Sequence, residues 1–286
     1  MRSFCYYGLL AFYAAVFAGT LVGHMGEMSA PLHTDLFVGR GSRLVPPRQI
    51  PEHLRSDYTL NGKIPVKYRY WNNSYSPSKP RVYTKAAINQ KIAKALKNGV
   101  SYYGVTDKFL YAAMRKFPIK GKAVAVLGSV TPWYESIVLS RGGRPVTIEY
   151  NKIISEDPRL EVMTVDEYDA NPRMFDALLS ISSFEHDGLG RYGDPIDPFA
   201  DCKAMEKCKK MLNPGGVLFL AVPSGPDCLL WNGCRIYGKL RMKMLQQGWR
   251  VLGYYGKTGL FEQDIKRQPL GGWSYQPVFV LTPEDS

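Results

Sequence analysis

FDALLSISSFEHDGLGRYGDPIDPFADCKAMEKCKKMLNPGGVLFLAVP, residues 175–223, places two apolar runs on either side of an amphipathic stretch. FDALLSIS (175–182) and GVLFLAVP (216–223) are apolar nearly throughout, not at every second position. That is the pattern of strands buried on both faces of a parallel sheet. Between them the spacing predicts a helix with Asp197 as N-cap and Pro198 at its first position. Phe199, Cys202, Met205, Cys208 and Leu212 lie along one face, lysines come late, and Asn213-Pro214-Gly215-Gly216 stops it. Strand, crossover helix and strand form the repeating unit of a doubly wound α/β fold.

The same alternation extends outward. KAVAVLGS (122–129), RPVTIEYN (144–151) and RLEVMTV (159–165) are further expected strands. TPWYESIVLSRGG is an expected helix with Thr131 as N-cap and Pro132 next. Two helices precede the first strand. One starts at Thr84 and ends at Asn98-Gly99, with Ala87, Ile88, Ile92, Ala95 and Leu96 on its inner face. The other runs from Thr106 to Phe117. A helix around 235–247 and the strands WRVLGYYG and SYQPVFVLT close the chain. The expected architecture is therefore a Rossmann-like, mostly parallel, seven-stranded sheet with helices on both faces, spanning 84–286. Residues 25–83, rich in Pro, Asn, Ser and Tyr, are expected to form an irregular stem with some packed pieces. Ligands of such sheets bind outside the carboxyl ends of the strands. Glu149, the Glu185-His186 pair and Pro223-Ser224 all fall at such ends.

The 286-residue chain is 45% hydrophobic, enough for one good-sized core, and carries a formal net charge of +12. The cations are spread from Arg40 to Arg267 without a dense block, so no nucleic-acid partner is expected. FCYYGLLAFYAAVFAGTLVG, residues 4–23, carries no formal charge. At about 1.5 Å per residue, such a stretch just spans a hydrocarbon core of roughly 30 Å. We expect residues 1–24 to be an apolar helix that anchors the chain by a single pass, with the remainder facing the lumen of the endoplasmic reticulum or Golgi. Val16-Phe17-Ala18 offers a cleavage site and a secreted alternative. Asn72-Asn73-Ser74 is a glycosylation acceptor pattern. Cys202 and Cys208 lie six apart on a helix, roughly 120° round its axis, and are not expected to pair with each other, whereas Cys228 and Cys234 lie close enough in a turn-rich segment to pair. Four reduced, buried thiols are the other reading.

The strand ending in Phe184-Glu185-His186, the amphipathic helix and the run Leu212-Asn213-Pro214-Gly215-Gly216 into Val217–Pro223 resemble the second half of a class I S-adenosylmethionine-dependent methyltransferase. The likeness covers roughly 120–283. SSFEHDGLGRYGDPIDP, GPDCLLWN and RIYG more narrowly resemble an uncharacterised methyltransferase-like family, a domain of unknown function known from nematodes and plants. The resemblance implies S-adenosylmethionine as cofactor. It implies Gly128 and Ser129 in the cofactor loop and Glu149 on the ribose hydroxyls. It puts Asp166 or a neighbour near the adenine, and Ser182, Ser183 and Glu185 along the wall near the methyl group. For an oxygen acceptor, His186 and Asp187 are the candidate bases. The acceptor would be an unidentified small molecule or glycan of the secretory pathway. One departure stands out. The family usually has a G-x-G-x-G loop after the first strand, and here Gly128-Ser129-Val130-Thr131-Pro132 keeps a single glycine. Two function classes follow: a membrane-anchored methyltransferase, and a non-catalytic protein that keeps the fold without the cofactor. The cluster Glu185, His186, Asp187, Asp194 and Asp197 also raises a divalent-cation alternative.

Overall fold

The computed structural model describes residues 45–72, 80–257 and 275–284. The expected anchor at 4–23 lies outside them. Among the described residues no helix is long and apolar enough to cross a membrane.

The described residues hold first a short helix, α1 (Arg55–Thr59), and two short strands, β1 (Val66–Tyr68) and β2 (Arg81–Tyr83). Helices α2 (Lys85–Leu96) and α3 (Val105–Lys116) follow. Thr84 caps α2 by accepting the Ala87 N–H. Next come β3 (Ala123–Leu127), α4 (Trp133–Ser140), β4 (Arg144–Glu149), β5 (Ile153–Ser155), β6 (Glu161–Thr164) and α5 (Val165–Ala170). The second half contains β7 (Phe175–Ile181), α6 (Ala200–Met211), β8 (Leu212–Ala221), the hairpin strands β9 (Cys228–Trp231) and β10 (Cys234–Ile236), α7 (Lys239–Leu245), β11 (Trp249–Tyr255) and β12 (Val278–Pro283).

Seven strands form the central sheet in the order β11-β12-β8-β7-β3-β4-β6. β12 runs antiparallel to both its neighbours, and the β8-β7, β7-β3, β3-β4 and β4-β6 pairs are all parallel. Alternate residues of each strand enter two separate cores. Ala125, Leu127, Leu178 and Leu220 pack under α5, α6 and α7. Val124, Val126, Leu179 and Phe219 pack under α3 and α4. Burial on both faces is why these strands lack polar alternation. The strand order reverses between β3 and β7, so their carboxyl ends, at Gly128 and Ser182, flank the switch-point crevice.

Several local expectations change. The Thr131 side chain does not cap α4. Pro132 occupies the cap position, and the Trp133 N–H donates to the Thr131 carbonyl at 2.6 Å. Asp197 accepts the Phe199 N–H at 2.9 Å, and α6 starts only at Ala200. The helix expected from 235 begins at Lys239, because Asp227 accepts the N–H groups of Gly238, Leu240 and Arg241, each at 2.9 Å. The segment before it is a hairpin, not a turn-rich loop. In its register Cys228 faces Ile236 and Cys234 faces Leu230, and both cysteines are free buried thiols, like Cys208. Leu212 pairs with Phe175 and Val217 with Ala177, so Asn213–Gly216 bulge out of β8, helped by a φ of +73° at Gly215.

The part of the stem that is described packs onto the domain. β1 adds in parallel to β9, making a three-stranded sheet with β10. β2 pairs in parallel with β5. Ile50, Tyr58 and Ile64 share a core with Leu189, Leu229 and Trp231. Asn232 accepts the Trp71 N–H and donates to the Trp71 carbonyl, continuing the pairing by a side chain. Asn72 is exposed, and the rest of its acceptor triplet lies outside the described residues.

Candidate functional site

The crevice has two banks. On the first, β3 ends at Gly128, whose φ of +83° suits a residue without a Cβ and whose N–H donates to the Ile148 carbonyl at 3.0 Å. Beside it Glu149 ends β4. Its two oxygens accept the Ser129 N–H at 3.0 Å and the Asn151 N–H at 3.3 Å. Ser129 is held in turn by the Tyr83 hydroxyl at 2.8 Å and, through its carbonyl, by Arg81 at 3.1 Å. β2 therefore braces the loop in which only one glycine remains. Glu135 on α4 lies behind this bank and accepts from Thr147 at 2.8 Å.

On the second bank, β7 ends at Ser182, whose φ of +56° is unusual for a residue with a Cβ. Phe184–His186 then make one 3-10 turn. The Ser182 hydroxyl donates to Glu185 Oε1 at 2.5 Å and accepts from Gln276 Nε2 at 2.9 Å. The His186 ring donates Nδ1–H to the Gly233 carbonyl at 2.6 Å, since a carbonyl can only accept. Nε2 then carries a lone pair and sits 3.5 Å from Glu185 Oε1. Burial and the nearby Arg191 push the imidazole down to about 3. The pair is therefore not an ion pair at neutral pH, despite its distance. An imidazole so reluctant to take a proton is a poor general base at pH 7.

Asp187 is buried, with its carboxyl held above the usual range by burial and by Asp194. It shares one cleft with Gly128, Glu149, Tyr150, Val165 and Ser183. Asp166, expected near an adenine, is exposed in the first turn of α5, and its neighbour Val165 lines the cleft. Ser183 lines it too, whereas Ser129 and Ser182 are taken up in the networks above. The remaining acids of the opening stretch hold the loop. Asp194 accepts the Gly190 and Tyr192 N–H groups at 3.1 and 3.2 Å, and Asp197 binds Lys203 at 2.6 Å. Among the described residues no group of three His, Cys, Asp or Glu side chains converges to hold a metal ion.

Unannounced in the sequence is the clamp behind this loop. Asp201 of α6 meets Arg241 of α7 at 2.6 Å and accepts the Tyr237 hydroxyl at 2.9 Å, with Arg235 of β10 at 3.7 Å. Burial alone would raise Asp201, but the two guanidinium groups outweigh it and hold the carboxyl below its usual range. Arg235 also donates to the carbonyls of Asp187 and Pro198. The clamp ties the Glu-His loop to the hairpin and to α7.

Burial pushes Glu135, Glu149 and Glu185 each up to about 7 from an ordinary 4.5. Between those values the folded chain holds protons that the unfolded chain has released. Their contribution is full below about 4.5 and is lost as the pH rises through 7. His186 works the other way between about 3 and 6.5. Three groups outweigh one, so the thermal midpoint is expected to be higher at pH 5.5 than at pH 7.5. Glu135→Gln should reduce the difference. A midpoint that rises towards pH 7.5 would contradict this balance.

The strand order with its single reversed strand, and a site at the β3–β7 switch point ending in Glu149 and Glu185-His186, define a methyltransferase-like Rossmann fold. Within that class, the chain belongs to the family described as "Caenorhabditis protein of unknown function, DUF268", whose model matches residues 121–272. No curated protein matches the chain. Among solved structures it is similar to the glycopeptide N-methyltransferase MtfA complexed with S-adenosyl-L-homocysteine, at 12% identity and a TM-score of 0.43, covering 62% of this chain and 89% of that one. It is also similar to the Burkholderia thailandensis 1,6-didemethyltoxoflavin-N1-methyltransferase, at 14% and 0.46, covering 69% and 87%. The CcbJ methyltransferase from Streptomyces caelestis matches at 11% and 0.39, covering 69% and 98%. Such TM-scores describe a partial overlap, and the class rests on the strand order itself.

Proposed function

We propose that the chain is an S-adenosylmethionine-dependent methyltransferase, held in the secretory pathway by its N-terminal apolar segment, with a small-molecule or glycan acceptor. The supporting observation is that Gly128, Glu149 and Asp187 meet in one cleft at the switch point. The residues suit an adenosyl group. Glu149 is oriented by two backbone N–H groups, and each oxygen keeps a lone pair for a ribose hydroxyl. Val165 and Tyr150 offer apolar walls for a flat ring. When bound, the cofactor supplies an electrophilic methyl group on a sulfonium. The protein's part is to align the acceptor with that group and exclude water.

The cleft is narrow. Its empty space, open mouth included, is about 240 Å³, below the roughly 300–1,000 Å³ usual for a ligand cleft. Entry of a nucleoside requires a wall to move, and Tyr150, 51% exposed, has the freedom to swing. This narrowness favours the second reading, a binding protein that keeps the fold without the cofactor. Calorimetric titration of the full chain with S-adenosylhomocysteine separates the two. On the first reading it binds, and Glu149→Ala weakens binding at least ~10-fold, as loss of hydrogen bonds to a charged group should. Absence of binding by folded protein would leave the second.

A further inference from the structure

Ser182 lies between two buried side chains from separate segments, Glu185 and Gln276. Gln276 Nε2 donates to the Ser182 oxygen at 2.9 Å, and Ser182 donates to Glu185 Oε1 at 2.5 Å. What remains is a set of acceptors. Glu185 Oε2 and Gln276 Oε1 have no hydrogen-bond partner among the described residues, in side chains only 1% and 2% exposed. His186 Nε2 faces the same carboxylate with a lone pair. Leaving such groups unpaired costs free energy in the empty protein, and more for a charged one. Two side chains from separate segments share this deficit, and each lacks a donor.

We infer that this cluster is the subsite for the methyl acceptor and that the acceptor presents an amine nitrogen, its two N–H groups donating to Glu185 Oε2 and Gln276 Oε1. The inference rests on the methyltransferase reading. With both N–H groups engaged, the nitrogen lone pair is the free direction. That pair forms the new N–C bond as the C–S bond breaks and its electrons return to sulfur. The surplus N–H proton passes to the Glu185 carboxylate. An alcohol could satisfy only one of the two acceptors, and an ether neither.

Glu185→Gln tests this without relying on turnover. The glutamine keeps an oxygen for the Ser182 hydroxyl and supplies an N–H2 group to the unpaired acceptors. The empty variant should therefore melt about 2–4 °C higher, the shift that roughly 1 kcal/mol makes in a domain of this size. At pH 8, the full chain saturated with S-adenosylhomocysteine should bind benzylamine at least ~10-fold tighter than benzyl methyl ether, with benzyl alcohol between them. Glu185→Gln should abolish that order. Equal affinities, no binding of any of the three probes, an order that survives the substitution, or a variant that melts lower would each overturn the inference. The probe titrations are repeated without S-adenosylhomocysteine. Failure of that ligand to bind then counts against the methyltransferase reading, while the amine order reports on the subsite by itself.

Discussion

Asp201→Ala is expected to destabilise the protein by about 3–5 kcal/mol, the cost of leaving a buried charge without its partner. The Arg235 and Arg241 side chains are both buried and share this one carboxylate. Its removal strands two guanidinium groups and the Tyr237 hydroxyl together. Total stabilities of about 5–15 kcal/mol make this a large fraction. Asp201→Asn keeps the hydrogen-bond shape and should cost less. Chemical denaturation of both variants measures the gap. An alanine variant as stable as the parent would show that the arginines find water or another acceptor.

Gly188→Ala is expected to be comparably severe, at more than about 3 kcal/mol. A Cβ at this position would lie 2.0 Å from the Asp197 carbonyl oxygen and 2.8 Å from the Ala200 Cβ, at a φ of +75°. The first neighbour is backbone, fixed where the Asp197 N–H donates to the Gly188 carbonyl at 3.0 Å. The Tyr58 hydroxyl binds that same carbonyl. Nothing there can yield without opening the loop that carries Glu185 and His186. Gly62→Ala makes the matched control, having a similar positive φ and no atom within 4 Å of its Cβ. A Gly188→Ala variant no worse than Gly62→Ala would mean that the loop repacks freely.

The sheet was legible because burial on two faces writes itself into every strand, as in AVAVL and LLSI. The switch-point residues Glu149 and Glu185 followed from strand ends, and Gly128 from the family resemblance. What stayed hidden depends on distant partners. Cys228–Ile236 resembles a turn-rich loop until β1 lines up beside it. Nothing local announces that Asp227 caps α7 from outside the helix, or that Asp201 and Arg241, 40 positions apart, share a charge. Of Asp166 and its neighbours, it is Val165 that lines the cleft, because one step along a helix turns a side chain from cleft to solvent. Gln276 lies just ahead of an apolar strand, and only tertiary contact shows that it faces Ser182.

The pairing of β1 with β9 sets an order on biosynthesis. Val66–Tyr68 leaves the ribosome roughly 160 residues ahead of its partner, on the order of ten to thirty seconds at typical elongation rates. Through that interval Ile50, Tyr58 and Ile64 lack Leu229 and Trp231 to complete their core, although they are among the first described residues to emerge. The segment made earliest docks among the last. Nascent chains that stop before Cys228 should therefore expose residues 45–72 to protease and to chaperones, and chains extended past Tyr237 should hide them.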